Sequence, residues 1–207
     1  MKRKVICFDW DGVLADSYHL HWPYRKACSP TMTFRDFQKV HDGNYWKHIG
    51  STGHQEIPVS PEEFQTRFQN YLKAIKTVKL FAGAAEFIHN ISKDNTITLN
   101  TSCYEEPVIA CLNHHGISSG FSFIGGKETH ASKVEKFRMI CEQFGIQPSE
   151  LIFVTDTRGD ALEAYEFGVE KIIVVTWGLH GVKRLKNSPH KYIAHSIKGL
   201  KKIIEKL

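Results

Sequence analysis

The stretch Phe8-Asp9-Trp10-Asp11-Gly12-Val13-Leu14-Ala15-Asp16-Ser17 follows the apolar run Val5-Ile6-Cys7 close to the start of the chain. A short apolar run of this kind reads as a buried strand. Two carboxylates one residue apart at its end, ahead of a glycine, are costly, because like charges repel and each resists losing its water. The arrangement offers a fold little by itself. A divalent cation would neutralise the pair and leave one carboxylate free for covalent chemistry.

Further along, apolar runs at 97–99, 121–124, 151–154 and 172–175 repeat the strand signal of 5–8. Helical patterns at 83–92, 105–115, 132–144 and 158–167 separate them. Strands alternating with helices predict right-handed βαβ units and a doubly wound, mainly parallel α/β sheet covered on both faces. Residues 196–207 place Ile197, Leu200, Ile203, Ile204 and Leu207 on one face behind Ser196, an amphipathic closing helix. The stretch from 18 to 80 breaks the alternation. It is rich in aromatics (Trp22, Tyr24, Phe34, Phe37, Tyr45, Trp46, Phe64, Phe68, Tyr71) and is cut by Pro23, Pro30, Pro58 and Pro61. That is too long for a crossover and too apolar for a disordered linker, so it reads as an inserted helical cap. The expected division is a core of residues 1–15 and 81–207 with a cap at 16–80.

Ligands of open parallel sheets bind beyond the carboxyl ends of the strands. The second predicted strand runs into Asn100-Thr101-Ser102, which offers hydroxyls and backbone N–H groups to a phosphate or, more plainly, a cap for the next helix. After the third come Lys127 and then Ser132-Lys133, where a lysine would neutralise a phosphate and crowded carboxylates. The fourth ends in Thr155-Asp156-Thr157-Arg158-Gly159-Asp160, whose acids would complete an oxygen-rich site with Asp9 and the Asp11 carbonyl, a donor set suited to Mg²⁺.

Asp9-Trp10-Asp11-Gly12-Val13-Leu14, with Asp16-Ser17 behind it, resembles the first motif of the haloacid dehalogenase superfamily, in its phosphoglycolate phosphatase and β-phosphoglucomutase branch. The other strand ends are similar to its remaining motifs, so the resemblance spans essentially the whole chain. It implies a Rossmann-like core, with Asp9 as nucleophile, Asp11 as general acid and base, Thr101 (or Ser102) and Lys133 on the phosphoryl oxygens, and Mg²⁺ on Asp9, Asp11 and Asp156. Asp160 would reach the metal directly or through water. Lys133 is preferred to Lys127 because it opens a helix as the motif does. The family usually carries glycine where Thr155 stands. His21 occupies a position where many members of the branch present a histidine to the site; a packing role is equally open. His114-His115 reads as a helix-end cap, and His41, His48 and His54 lack the spacing of a zinc site.

Composition narrows the remaining possibilities. The 207 residues are 42% hydrophobic and 24% charged, ordinary for a soluble globular protein. The net charge of +5 is spread out, and its densest run, 198–206, reads as a solvated helix face, so no nucleic-acid partner is expected. Five cysteines without a CxxC pair suit a reducing compartment. Asp9 and Asp11 interrupt the apolar run behind Met1-Lys2-Arg3-Lys4 too early for a signal peptide, and no stretch reads as membrane-spanning, so the expected location is cytoplasmic. The expected activity is Mg²⁺-dependent hydrolysis of a small phosphomonoester through an aspartyl-phosphate. A β-phosphoglucomutase-type mutase or a non-catalytic phosphate-binding protein are the alternatives. A dehalogenase or phosphonatase of this superfamily would lack Asp11.

Overall fold

The computed structural model of the protein describes residues 3–44 and 59–207. Six strands form one sheet: β1 (Val5–Phe8), β2 (Thr96–Asn100), β3 (Phe121–Gly125), β4 (Ile152–Thr155), β5 (Lys171–Val175) and β6 (Tyr192–Ala194). Every pairing is parallel and the spatial order is β3-β2-β1-β4-β5-β6. The order therefore reverses at β1, flanked by β2 and β4, and the crevice at such a reversal is where this architecture binds ligands. The β1 register, Phe8 beside both Leu99 and Val154, brings three strand ends level with Asp9.

Helices cover both faces because each strand is apolar on both. On one face, Ile6, Phe8, Ile97, Leu99, Ile152, Val154, Ile173 and Val175 form one core with residues of α4 (Ala84–Ile91), α5 (Glu105–His114) and α9 (Ile197–Lys206). On the other, Val5, Cys7, Phe153, Ile172 and Val174 pack with α6 (Lys133–Phe144), α7 (Arg158–Phe167) and the single turn α8 (Val182–Leu185). The closing helix α9 starts where expected, with Ser196 Oγ accepting from the Gly199 N–H at 3.1 Å. At the end of α5, His115 pairs through Nε2 with the Val78 carbonyl at 2.9 Å. The strand β6 carried no separate sequence signal, being only three residues long with β5 as its neighbour.

Between β1 and β2 the chain makes α1 (Tyr18–Cys28), α2 (Phe34–Val40) and α3 (Pro61–Ile75). Tyr45, Trp46, His48 and His54 of this insert lie outside the described residues. The chain leaves and returns side by side, since Ala15 and Leu80 form an antiparallel bridge and the Asp16 N–H donates to the Lys79 carbonyl at 2.9 Å. The helix α2 then docks on the sheet's carboxyl edge. Gln38 Nε2 donates to the Leu179 carbonyl at 2.9 Å, His180 Nε2 pairs with the Gln38 carbonyl at 2.9 Å, and Leu179 joins Met32, Phe37 and Val40 in a small apolar cluster. The turn after α2 sits on the start of α7, where the Gly159 N–H donates to the His41 carbonyl at 2.8 Å.

Only glycine permits that last contact. A Cβ on residue 159 would lie 2.2 Å from the Gly43 carbonyl oxygen and 2.7 Å from that of His41. Gly159→Ala gains helix propensity but forces backbone away from backbone, so it should destabilise by about 1–3 kcal/mol. The thermal midpoint should drop by several degrees. An unchanged midpoint would mean that the insert does not rest on α7 in solution.

Candidate active site

The turn after β1 is wound tightly. The N–H groups of Leu14 and Ala15 both point at the Trp10 carbonyl, at 3.1 and 3.0 Å, and Gly12 adopts φ +72°. This winding presents Asp9 at the strand end and brings Asp11 round beside the insert. Asp9 is buried, and its Oδ1 accepts from the Trp10 N–H at 2.8 Å and lies 2.8 Å from Lys133 Nζ. The same ammonium donates to Asp160 Oδ2 at 3.0 Å. Burial pushes the Asp9 carboxyl well above its usual range, with Asp160 adding to the push and Lys133 opposing it. For Asp160 burial also pushes upward, but the Lys133 ammonium and the hydrogen bonds from Asp9, Lys133 and Thr157 together outweigh it and bring the group down. Lys133 loses solvation too, yet the two carboxylates keep its charge firmly in place.

Thr155 explains itself here. Its hydroxyl donates to Asp160 Oδ2 at 3.2 Å and accepts from the Thr157 N–H at 3.2 Å, so it orients the acid a glycine would leave to the lysine alone. Asp156 lies in a slot between two glycines: a Cβ at Gly12 would be 2.1 Å and one at Gly178 2.2 Å from its Oδ2. That oxygen accepts from the Leu179 N–H at 2.6 Å, whereas Asp156 Oδ1 is buried without a partner. Burial raises the group to about 7, with Asp160 and Asp11 adding to the rise. A buried orphan carboxylate oxygen beside two more carboxylates fits a hard cation.

Asp11 faces the other way. Oδ1 accepts from Ser17 Oγ at 2.5 Å and pairs with His21 Nε2 at 2.7 Å, while Oδ2 accepts from Cys103 Sγ at 3.0 Å. Burial alone would raise this acid, but His21, Cys103 and Ser17 together bring it down to about 2. Tyr71 closes the network from α3, its hydroxyl 3.0 Å from His21 Nδ1. His21 thus belongs to the cluster rather than only to packing. From sequence Ser17 enters only as part of the first motif and Tyr71 only as one of the insert's aromatics, and Cys103 carries no signal; their closeness in space to Asp11 marks all three as site residues.

The β2 exit divides its residues. Thr101 is fully buried and its Oγ1 accepts from the Cys103 N–H at 3.0 Å, whereas Ser102 lines the open cavity. Lys136, one turn beyond Lys133 and also fully buried, donates to the carbonyls of Thr101 at 2.5 Å and Gly126 at 3.1 Å, tying the β2 and β3 exits together. Lys127 stands apart from Asp9: it donates to Tyr104 Oη at 2.8 Å, on the cavity wall. The cavity, about 200 Å³, has Asp9, Asp11, Lys133 and Asp160 at its sheet end and Tyr18, Tyr24, Arg25, Phe37 and His41 of the insert opposite.

Two acids after β1 and a lysine opening α6 thus face one another at the carboxyl edge of a parallel sheet. The model of the haloacid dehalogenase-like hydrolases matches residues 6–174, and the chain belongs to that family. A phosphoglycolate phosphatase of Synechococcus elongatus is 23% identical over 184 residues, 86% of this chain and 85% of that protein. Among solved structures, a haloacid dehalogenase-like hydrolase of Streptococcus pneumoniae superposes with a TM-score of 0.75 at 20% identity, covering 98% of each chain. A Thermotoga maritima protein provisionally assigned as a β-phosphoglucomutase gives 0.71 at 18%, covering 99% of each. The protein is an enzyme of the family's phosphatase type, a family that generally uses a divalent metal. No helix among the described residues is long and apolar enough to cross a membrane.

His41 supplies a pH signature of the closed insert. Burial lowers it from 6.5 to about 4, outweighing its hydrogen bond to the Phe37 carbonyl. The unfolded chain therefore takes up this proton first as pH falls, so the contribution of His41 is present above pH 6.5 and lost on the way down to 4. Wild type should lose thermal midpoint between those limits more steeply than His41→Gln; parallel curves would refute a buried neutral imidazole.

Proposed function

We propose that the protein hydrolyses a small phosphomonoester with Mg²⁺ through an aspartyl-phosphate on Asp9. The observation that supports this most is the pairing of Asp9 with Lys133 at 2.8 Å beside the unpartnered Oδ1 of Asp156. Asp9, the backbone carbonyl of Asp11, and Asp156 would hold the ion, with Asp160 reaching it directly or through water. When bound, the ion supplies positive charge that offsets the crowded carboxylates and the phosphoryl oxygens.

A carboxylate oxygen of Asp9 attacks phosphorus in line, the bond to the leaving oxygen breaks, and Asp11 delivers the proton that oxygen needs. Water then attacks phosphorus, Asp11 takes its proton, and phosphate and free Asp9 are regenerated. Asp11 is ionised in the resting arrangement, ready for the second half. His21, 2.7 Å away, is the group with which it exchanges its proton for the first. Lys133 and the cavity-facing Ser102 hold the phosphoryl oxygens, with the buried Thr101 fixing the β2 exit behind them, so catalysis is chiefly positioning and charge stabilisation.

The cavity supports a particular class of substrate. At about 200 Å³ it admits only a small molecule, and Arg25 and Lys127 on its wall suit a second anionic group. Phosphoglycolate, the substrate named for the Synechococcus relative, carries such a carboxylate. A phosphomutase would use the same acids, and the Thermotoga neighbour keeps that second possibility in view. Its products would be isomers rather than phosphate.

Asp9→Asn should abolish phosphate release from a panel of small phosphomonoesters while leaving the far-UV spectrum intact, because an amide cannot form the acyl-phosphate. Retention of a tenth or more of wild-type turnover would rule out Asp9 as nucleophile. Lys133→Ala should cost roughly 10²–10³ in turnover and Lys127→Ala far less. If the Lys127 variant is the inactive one, the phosphate-holding lysine has been misassigned. Excess chelator should remove activity and Mg²⁺ restore it.

A further inference from the structure

Three donors of different chemical type, a carboxylate, an imidazole and a thiol, converge beside the hydrolytic centre. The Asp11 carboxylate has His21 Nε2 at 2.7 Å on one oxygen and Cys103 Sγ at 3.0 Å on the other. One ligand atom from each lies within 4.8 Å of the other two. We propose that Asp11, His21 and Cys103 form a second metal site, selective for a thiophilic divalent cation of the Zn²⁺ type, whose occupation stops turnover by taking the Asp11 carboxylate out of proton transfer.

Geometry favours a tetrahedral ion. Bonds of about 2.0–2.3 Å place neighbouring donors of a tetrahedron roughly 3.3–3.8 Å apart. His21 and Cys103 meet different oxygens of Asp11, at the hydrogen-bond lengths of 2.7 and 3.0 Å, so the side chains must turn outward for one oxygen, the imidazole and the sulfur to share an ion. The imidazole is already aimed: Tyr71 Oη sits 3.0 Å from His21 Nδ1, the outer partner that zinc-ligating histidines ordinarily have. All four residues line the open cavity, which supplies an entry path and room for a fourth ligand, water or a phosphate oxygen.

Chemistry separates this site from the one proposed for Mg²⁺. Asp9, the Asp11 carbonyl and Asp156 offer only oxygen, which suits a hard cation. Thiolate and imidazole instead select Zn²⁺ and its neighbours. Binding replaces the Cys103 S–H bond with a metal–sulfur bond and releases that proton to solvent, while the carboxylate and thiolate together balance the ion's charge. Asp11 is then bound to metal and its exchange with His21 is lost.

The test uses Co²⁺ as a coloured stand-in, added to reduced full-length protein in the presence of about a thousandfold excess of Mg²⁺. A thiolate-to-cobalt charge-transfer band should grow to one ion per chain and vanish on adding equimolar Zn²⁺, which should also inhibit turnover. Cys103→Ser should erase the band, whereas Cys28→Ser should keep it. Tyr71→Phe, which removes only the outer partner, should weaken Co²⁺ binding roughly 10–100-fold and provides a second reading should the serine variant fold poorly. Asp156→Asn should keep the band although the proposed hydrolysis is lost, so failure of either assignment is seen separately. Absence of the band in wild type, its persistence in Cys103→Ser, or its loss in Asp156→Asn would overturn the second site.

Discussion

Lys133 carries the electrostatic burden of this fold's working edge. Asp9 and Asp160 both contact its ammonium, at 2.8 and 3.0 Å, and Asp156 stands close enough to feel it. Burying three carboxylates at adjacent strand ends is tolerable only with compensating positive charge. One lysine does not balance them. Burial, with the neighbouring acids adding to it, raises the Asp9 and Asp156 carboxyls, and a divalent cation is a natural further component of such a cluster.

The rest of the edge is built to hold that cluster still. Lys136 ties the β2 and β3 exits through the Thr101 and Gly126 carbonyls; Gly12 and Gly178 leave the slot that Asp156 fills; Thr155 steers Asp160. Each device shortens the freedom of a side chain whose charge must be aimed, which is the structural form of electrostatic preorganisation.

The insert completes the site rather than merely roofing it. Its His21 and Tyr71 reach Asp11, and its turn at 41–43 rests on the α7 terminus that carries Asp160. Movement of the insert would therefore alter the surroundings of Asp11 and the access of water together, which is how such enclosures govern turnover.

How much could be read without coordinates depends on sequence distance. The sequence alone sufficed for the alternation of strands and helices, and hence the parallel sheet, because hydrophobic period is local and survives without tertiary context. It also marked Asp9, Asp11, Asp156 and Asp160, since each follows a strand at the end where ligands bind, while the preference for Lys133 over Lys127 came from the resemblance to the family's motif. The strand β6 escaped because three residues carry too little pattern. Cys103, Tyr71, Ser17 and Lys136 escaped for a different reason: their meaning lies in partners 92, 50, 6 and 35 positions away, in ordinary helix or loop surroundings. Only the tertiary structure decided that Asp11 turns toward His21 and Cys103, that Ser102 rather than the buried Thr101 faces the cavity, and that α2 docks on the loop after β5. These are contacts between distant segments, which the closed winding of the chain creates and no local preference encodes.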